Sequence, residues 1–162
     1  MSPPPTDPQV LRTWFRFLRL HQRITARAGQ EFRRIGLSIP QFDLLSTLSE
    51  REGVSQQELA ERLYVTKGNV SGLIDRLEAS GLVERRALPQ DRRCYALHLT
   101  DEGRRLVRDG LALQARLVAA TLGQLPGPDV AQLDRLLGQW RDLVRELPAE
   151  AAQDQTAAAM AK

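Results

Sequence analysis

SQQELAERLYVTKGNVSGLIDRLEASG, residues 55–81, carries two short helical patterns separated by too few residues for anything but a tight turn. Ser55-Gln56-Gln57-Glu58 has the spacing of a capping box, in which a serine hydroxyl and a glutamate three residues later satisfy each other's backbone N–H groups. That box opens a short helix carrying Leu59, Ala60 and Leu63. Tyr64-Val65 supplies the turn. Thr66 is placed to cap the next helix, where Val70, Leu73, Ile74 and Leu77 recur at i, i+3, i+4 and i+7. Gly81 stops it. One side of this second helix is therefore apolar, and Lys67, Gly68, Asn69, Ser71, Gly72, Asp75 and Arg76 lie outside the stripe.

Downstream the period changes. Leu82–Arg86 and Cys94–Leu99 are short β-like runs, the second placing Tyr95, Leu97 and Leu99 on one face, and the polar, proline-bearing segment Leu88–Arg93 joins them as a hairpin with a charged tip. Upstream, Ser38 caps a helix with Pro40 in its first turn that runs through Phe42, Leu44, Leu45 and Leu48 to about Glu50, before Gly53 breaks it. A longer helical pattern covers about Gln9 to Ile35 and ends at Gly36. Trp14, Phe17, Leu18, His21, Ile24, Thr25, Ala28 and Phe32 share one of its faces, and Arg12, Arg16, Arg19, Arg23 and Arg27 the other. After the hairpin, Thr100 caps a helix reaching about Leu122, with Asp101 and Glu102 at its positive end. Pro126-Gly127-Pro128 forces a turn. Asp129 then caps a last helix through Val130, Leu133, Leu136, Leu137, Trp140, Leu143, Val144 and Leu147, closed by Pro148.

The expected fold is mainly helical with a small β-hairpin wing: one domain over about 9–147. Its helices at about 9–35, 101–123 and 129–147 assemble a dimer around a winged helix-turn-helix lobe at about 38–100, with flexible tails at 1–8 and 149–162. The chain has 162 residues, 42% of them hydrophobic, enough for a core of this size. Its net charge of +3 allows a nucleic-acid partner without arguing for one. Cys94 is the only cysteine, which rules out an internal disulfide and a cysteine metal cage. No apolar run approaches the roughly 20 residues of a membrane span, and the start has no signal-peptide pattern. A cytoplasmic protein without metal or cofactor is expected. No Gly-rich phosphate loop and no Ser/His/Asp or Cys/His set points to an enzyme.

Helix, tight turn, helix and hairpin together form the winged helix-turn-helix order. The B-DNA major groove is about 12 Å wide and admits one α-helix. A helix that enters it must stay apolar on the side that docks on the protein and small and polar on the side that approaches base edges. Residues 66–79 meet both conditions, with Gly68 and Gly72 permitting close approach and Lys67 and Asn69 in the first turn best placed to reach bases.

The ordered text resembles the MarR (multiple antibiotic resistance regulator) family. The matching pieces are Ser55-Gln56-Gln57-Glu58-Leu59-Ala60, Thr66-Lys67-Gly68-Asn69-Val70, Ile74-Asp75-Arg76-Leu77-Glu78, Ser80-Gly81-Leu82-Val83-Glu84-Arg85, Asp91-Arg92-Arg93 and Leu99-Thr100-Asp101-Glu102-Gly103. The resemblance implies a homodimer built by the first, fifth and sixth helices, a fourth helix in the major groove of double-stranded DNA, and a wing in the minor groove. It implies an acidic wing residue, Asp91, bracing the arginine two positions on, Arg93. Gly72 stands where many members carry a larger side chain. The expected DNA-contacting set is Ser38, Ser55, Gln56, Thr66, Lys67, Gly68, Asn69, Ser71, Arg76, Asp91, Arg92 and Arg93. The resemblance also implies a small anionic or phenolic effector, for which Trp14, His21 and Phe42 are the candidate neighbourhood. The expected function is a homodimeric repressor on a near-palindromic operator. The alternative is a winged-helix protein-interaction module without sequence-specific DNA binding, which would need an apolar outer face on the fourth helix.

Other residues have plainer readings. Asp75 is expected to pair with an arginine rather than touch DNA. Seven arginines against one acid, Glu31, lie between Val10 and Gly36, whereas Ser55 to Arg93 holds seven basic and six acidic residues. The arginine face of the first helix reads as a solvated face opposite an apolar one. His21 reads as a packed or interface histidine, His98 as exposed on the strand face opposite Tyr95, and Cys94 as inert. Two isolated histidines do not make a metal site. The leucine-rich stripe of the last helix is expected to meet a second copy of the chain.

Overall fold

The computed structural model describes residues 7–63, 65–88 and 91–147, and of Lys67, Leu88 and 91–94 the backbone. In chain order the elements are α1 (Pro8–Arg34), α2 (Ile39–Glu50), α3 (Gln56–Arg62), α4 (Lys67–Ala79), β1 (Val83–Leu88), β2 (Asp91–Leu99), α5 (Asp101–Ala119), a 3-10 turn (Leu122–Gln124) and α6 (Gly127–Arg145). They form two compact units divided between Leu117 and Val118.

The cores of α2, α3 and α4 meet in a single apolar cluster. Leu44, Leu45, Leu48, Leu59, Ile74, Leu77 and Leu97 have no solvent access, and Phe32, Phe42, Val70, Val83, Leu99, Leu106 and Val107 close around them. No polar or charged residue is buried among the described ones. β1 and β2 are antiparallel, with Val83 opposite Leu99 and Arg85 opposite Leu97, and the register shifts between Ala87 and Leu88. Val54 adds a short bridge to Leu97, whose carbonyl also accepts from Gly53 N at 2.8 Å.

Local signals place most boundaries. Ser38 and Ser55 each form a complete capping box, with Gln41 and Glu58 respectively. Thr100 Oγ1 accepts from Gly103 N at 3.0 Å and donates to the Gly81 carbonyl at 2.6 Å, so one hydroxyl caps α5 and ties it to the end of α4. Several expectations need correction. Thr66 occupies the cap position of α4, but its side chain makes no cap hydrogen bond. α6 begins at Gly127 and not at Asp129, since Pro128 fits the first helical turn, where its missing N–H has no partner to lose. α1 begins at Pro8, because Asp7 Oδ1 accepts from Gln9 N at 2.7 Å, so the helix takes in part of the expected tail. The strands run further toward the tip than expected, with Leu88 opposite Asp91 and residues 92–94 forming the irregularity in β2. Tyr95 is exposed while Leu97 and Leu99 are buried, and His98 is half-buried, 3.4 Å from Glu52. The cause is the bridge at Val54: residues 52–54 cover the base of β2, and Tyr95 lies beyond that cover. The expected tails at 1–6 and 149–162, the Tyr64 turn residue and the Cys94 side chain lie outside the described residues.

Helix α5 approaches the lobe through glycine. A Cβ on Gly103 would stand 2.1 Å from the Leu82 carbonyl oxygen, and one on Gly110 2.4 Å from the Phe42 ring. In contrast, from Pro8 to Arg27 every residue of α1 except Leu18 is exposed, and no residue of α6 is fully buried. Gly103→Ala must push α5 off a backbone atom that cannot swing aside. It is expected to cost about 1–3 kcal/mol, read from the midpoint of urea unfolding.

Candidate nucleic-acid interface

Helix α4 is seated by Val70, Ile74 and Leu77, all at 1% exposure or less, and packs on α2, α3 and β1. The opposite side presents Gly68, Asn69, Asp75 and Arg76 exposed, with Ser71 and Gly72 partly so. The two glycines are not demanded by the fold. A Cβ on Gly68 meets nothing within 4 Å, and one on Gly72 meets only the far end of the Arg76 side chain at 3.8 Å. A bare backbone on an exposed helix face costs helix stability, and among the described residues no packing offsets that cost. The space those glycines leave lies outside the molecule.

The remaining predicted contacts fall into groups. Ser38 and Gln56 head α2 and α3. The Ser38 and Ser55 hydroxyls accept from Gln41 N and Glu58 N in their boxes. The Ser55 hydrogen bonds hold the Glu58 carboxyl below the usual glutamate range, the backbone N–H contributing most. Thr66 is exposed at the entry to α4. The backbones of Asp91, Arg92 and Arg93 lie in β2, but their side chains and that of Lys67 are outside the described residues.

Asp75 does pair with an arginine, and the partner is Arg85 on β1. Arg85 Nη2 donates to Asp75 Oδ1 at 2.5 Å, and Nη1 donates to Glu78 Oε2. These contacts raise the guanidinium pKa, the Asp75 hydrogen bond most. The Arg85 residue is the one functional candidate that sequence reasoning passed over. Its signal was the Glu-Arg-Arg run just after the glycine stop, which begins six residues beyond the second of two acids on α4. Arg76 forms no ion pair among the described residues. It borders a cleft of about 440 Å³ between α2, α3 and α4, with Asp43, Asn69 and Leu73 among its walls. Burial raises the Asp43 carboxyl.

The effector trio is not brought together within the chain. Trp14, Phe17 and His21 form an exposed line on α1, with ring centroids 6.5 and 6.3 Å apart. Phe42 is a core side chain at 2% exposure, stacked on Phe32 at 4.3 Å. Phe32 stands eighteen residues beyond Trp14 on the same helix, about 27 Å along its axis at 1.5 Å per residue. Among the described residues no group of three or more His, Cys, Asp or Glu is placed to hold a metal ion.

This geometry matches known proteins. Residues 37–95 fit the pattern of the MarR family. The winged helix-turn-helix segment is thus of the MarR kind. The HTH-type transcriptional regulator TtmR of Methylorubrum extorquens is 34% identical over 125 residues, a match that spans 77% of this chain and 62% of TtmR. AbsC, a MarR family transcriptional regulator from Streptomyces coelicolor, superposes with a TM-score of 0.81 at 24% identity, over 90% of this chain and all of AbsC. The S. aureus MepR–DNA complex superposes at 0.76 with 22% identity, over 82% of this chain and 97% of MepR. MarR proteins are regulators and not enzymes, and this chain shares their mainly helical winged fold.

The idle glycines give a test. Gly68→Ala is expected to leave stability unchanged or raise it by up to about 1 kcal/mol, while weakening the binding of duplex DNA. Thermal unfolding and a DNA titration on the same preparation read both effects, and unchanged DNA binding would remove Gly68 from the interface.

Proposed function

We propose that this protein is a homodimeric, sequence-specific regulator that reads a near-palindromic operator, acting as a repressor that a small aromatic or anionic effector releases. The observation that carries the reading is the two-sided build of α4: three side chains sealed into the core and an outer face of small polar residues with two glycines no packing requires. A protein-docking face would be apolar there. The solved DNA complex of MepR, a protein of the same fold, supports the same direction. Lys67, Asn69, Ser71 and Arg76 then face base edges and phosphates, and Ser38, Ser55, Gln56 and Thr66 border them.

The homodimer rests on apolar surface that one copy leaves in water. Val10, Trp14, Phe15 and Phe17 on α1 are exposed, and so are Leu133, Leu136, Leu137, Leu143 and Val144 on α6. Exposed apolar patches on single helices of this kind mark interaction surfaces. A dimeric helix-turn-helix protein reads half-sites about one helical turn apart. Sedimentation at micromolar concentration is expected to show a dimer, and footprinting on the source genome a near-palindrome. Removing residues 127–162 is expected to abolish both dimer and tight binding. A monomer that still binds a palindrome tightly would sink the reading. No helix among the described residues is long and apolar enough to cross a membrane, and a cytoplasmic location goes with the proposed role.

The wing carries the second contact. Arg93 is placed in the minor groove, where narrow, electronegative geometry attracts arginine, with Arg92 beside it and Asp91 as the brace. Arg93→Ala is expected to shrink the slope of log K against log salt by about one unit. Asp91→Ala removes a negative charge, so charge alone predicts tighter binding and a brace predicts weaker. Measuring both single variants and the double on one operator separates these accounts.

An effector is placed against the exposed Trp14–Phe17–His21 line, not Phe42. An aromatic carboxylate is expected to quench tryptophan fluorescence and weaken DNA binding, and linkage then requires DNA to weaken the carboxylate by the same factor. Equal binding with and without DNA would remove the effector from the reading.

A further inference from the structure

We infer that Arg85 is a positioning residue for DNA recognition: its guanidinium clamps α4 to the first strand of the wing and engages the carboxylates of Asp75 and Glu78. The inference rests on the DNA-binding reading above and adds to it a residue that touches no DNA.

Three observations meet here. First, Arg85 lies on β1, and β1 is the strand that carries the chain from α4 into the wing. Its partner across the ladder is Leu97, a fully buried residue of β2. The backbone at Arg85 is therefore held by the core. Second, both terminal nitrogens are engaged, Nη2 with Asp75 and Nη1 with Glu78, which stand three residues apart on α4. The planar fork of a guanidinium can hold two such acceptors in fixed directions, and an ammonium cannot. Third, the side chain is only 20% exposed, against 60% for Asp75 and 39% for Glu78. The clamp is shielded on the arginine side and open on the carboxylate side.

The consequence is mechanical and electrostatic together. α4 is fixed to the lobe on its inner side by Val70, Ile74 and Leu77, and such apolar contacts are non-directional. A charged fork at the helix edge resists rotation about the helix axis. It sets the angle at which Asn69, Ser71 and Arg76 are presented relative to the hairpin. It also neutralises two carboxylates next to Arg76 that would otherwise face a polyanion.

A charge-reversed comparison separates positioning from simple neutralisation. Full-length protein is used to recover a binding duplex from a randomised library, and that duplex, single-base variants of it and a mixed-sequence duplex are the probes. Arg85→Gln is expected to weaken binding to the selected duplex. The deciding variant is Asp75→Asn/Glu78→Gln/Arg85→Gln. It is one charge more positive than the starting protein, so charge alone predicts tighter binding. The clamp predicts weaker binding to the selected duplex and a loss of discrimination against base variants of roughly tenfold or more. Because Arg85 makes no phosphate contact, the salt slope of the triple variant is expected to stay within about half a unit of the original, where a lost phosphate contact removes about 0.9. Arg85→Lys keeps the charge and loses the fork, so it folds as a control and is expected to lose part of the discrimination. Tighter binding with intact discrimination by the triple variant overturns the proposal, and so does intact discrimination in Arg85→Lys. If the unaltered protein selects no duplex, the DNA-binding reading itself falls, which is a distinct result.

Discussion

Everything in the lobe depends on the burial of one side of a thirteen-residue helix. Val70, Ile74 and Leu77 lose essentially all contact with water, and α2, α3 and β1 are the surfaces that receive them. Each such side chain contributes roughly 1.5–3 kcal/mol when fully buried, so the seat is strong relative to the few exposed contacts of the same helix. That imbalance frees the outer face. Gly68, Asn69, Ser71 and Gly72 are not asked to hold the fold, and their size and polarity are available for a partner. The same constraint explains why α3 can be only seven residues long. It supplies Leu59 and Ala60 to the core, is capped at its start by Ser55 and Glu58, and needs no more length than one apolar face requires.

The distribution of charge is less simple than a basic DNA-binding surface. Between Ser38 and Leu88 there are six basic residues and eight acidic ones. Several of the basic groups are already used: Arg62 pairs with Glu50, Arg85 with Asp75 and Glu78, and Arg86 with Glu84. On α1 the balance is reversed, and Arg12, Arg16, Arg19 and Arg23 form no ion pair among the described residues. A protein of this kind gains little general attraction to phosphate from its reading lobe. On the proposed function, selectivity would rest more on how α4 and the wing are held than on how many cations they carry, which gives the geometry at Arg85 its weight. Exposed pairs such as Arg86–Glu84 contribute little stability in themselves, and their effect is to remove free charge of either sign.

Much of this was legible in the residues because the signals are local. Capping boxes at Ser38 and Ser55, the i, i+3, i+4, i+7 stripe of α4, the change to period two after Gly81 and the cap at Thr100 each lie within a few residues of the element they define. The misreadings have a common cause. Phe42 looked like a pocket aromatic because nothing in its neighbourhood shows that Phe32 and Gly110 will close over it. His98 looked exposed because the cover over β2 comes from residues 52–54, more than forty positions earlier. Pro128 looked like a stop although the same ring serves as a start. The Asp75 partner was foreseen as an arginine, but its identity required the hairpin to fold back along α4.

One long-range cluster constrains how a signal can travel. Glu52 accepts from Leu99 N at 3.1 Å and from Arg104 Nε and Nη2 at 3.1 and 2.9 Å, so a single carboxylate joins the end of α2, the base of β2 and the first turn of α5. Gly103 lies against the Leu82 carbonyl in the same place. Helix α5 is therefore fastened at its start to both the wing and the end of α4, and buried as far as Gly110. Close-packed interiors respond to a push by shifting between discrete arrangements and not by bending. A displacement of the exposed part of α5 is thus delivered to α4 and the wing together, with their mutual angle kept. In the homodimer proposed above, control by such a route would alter where the α4 surface stands relative to that of the second copy. It would not alter the shape of that surface itself.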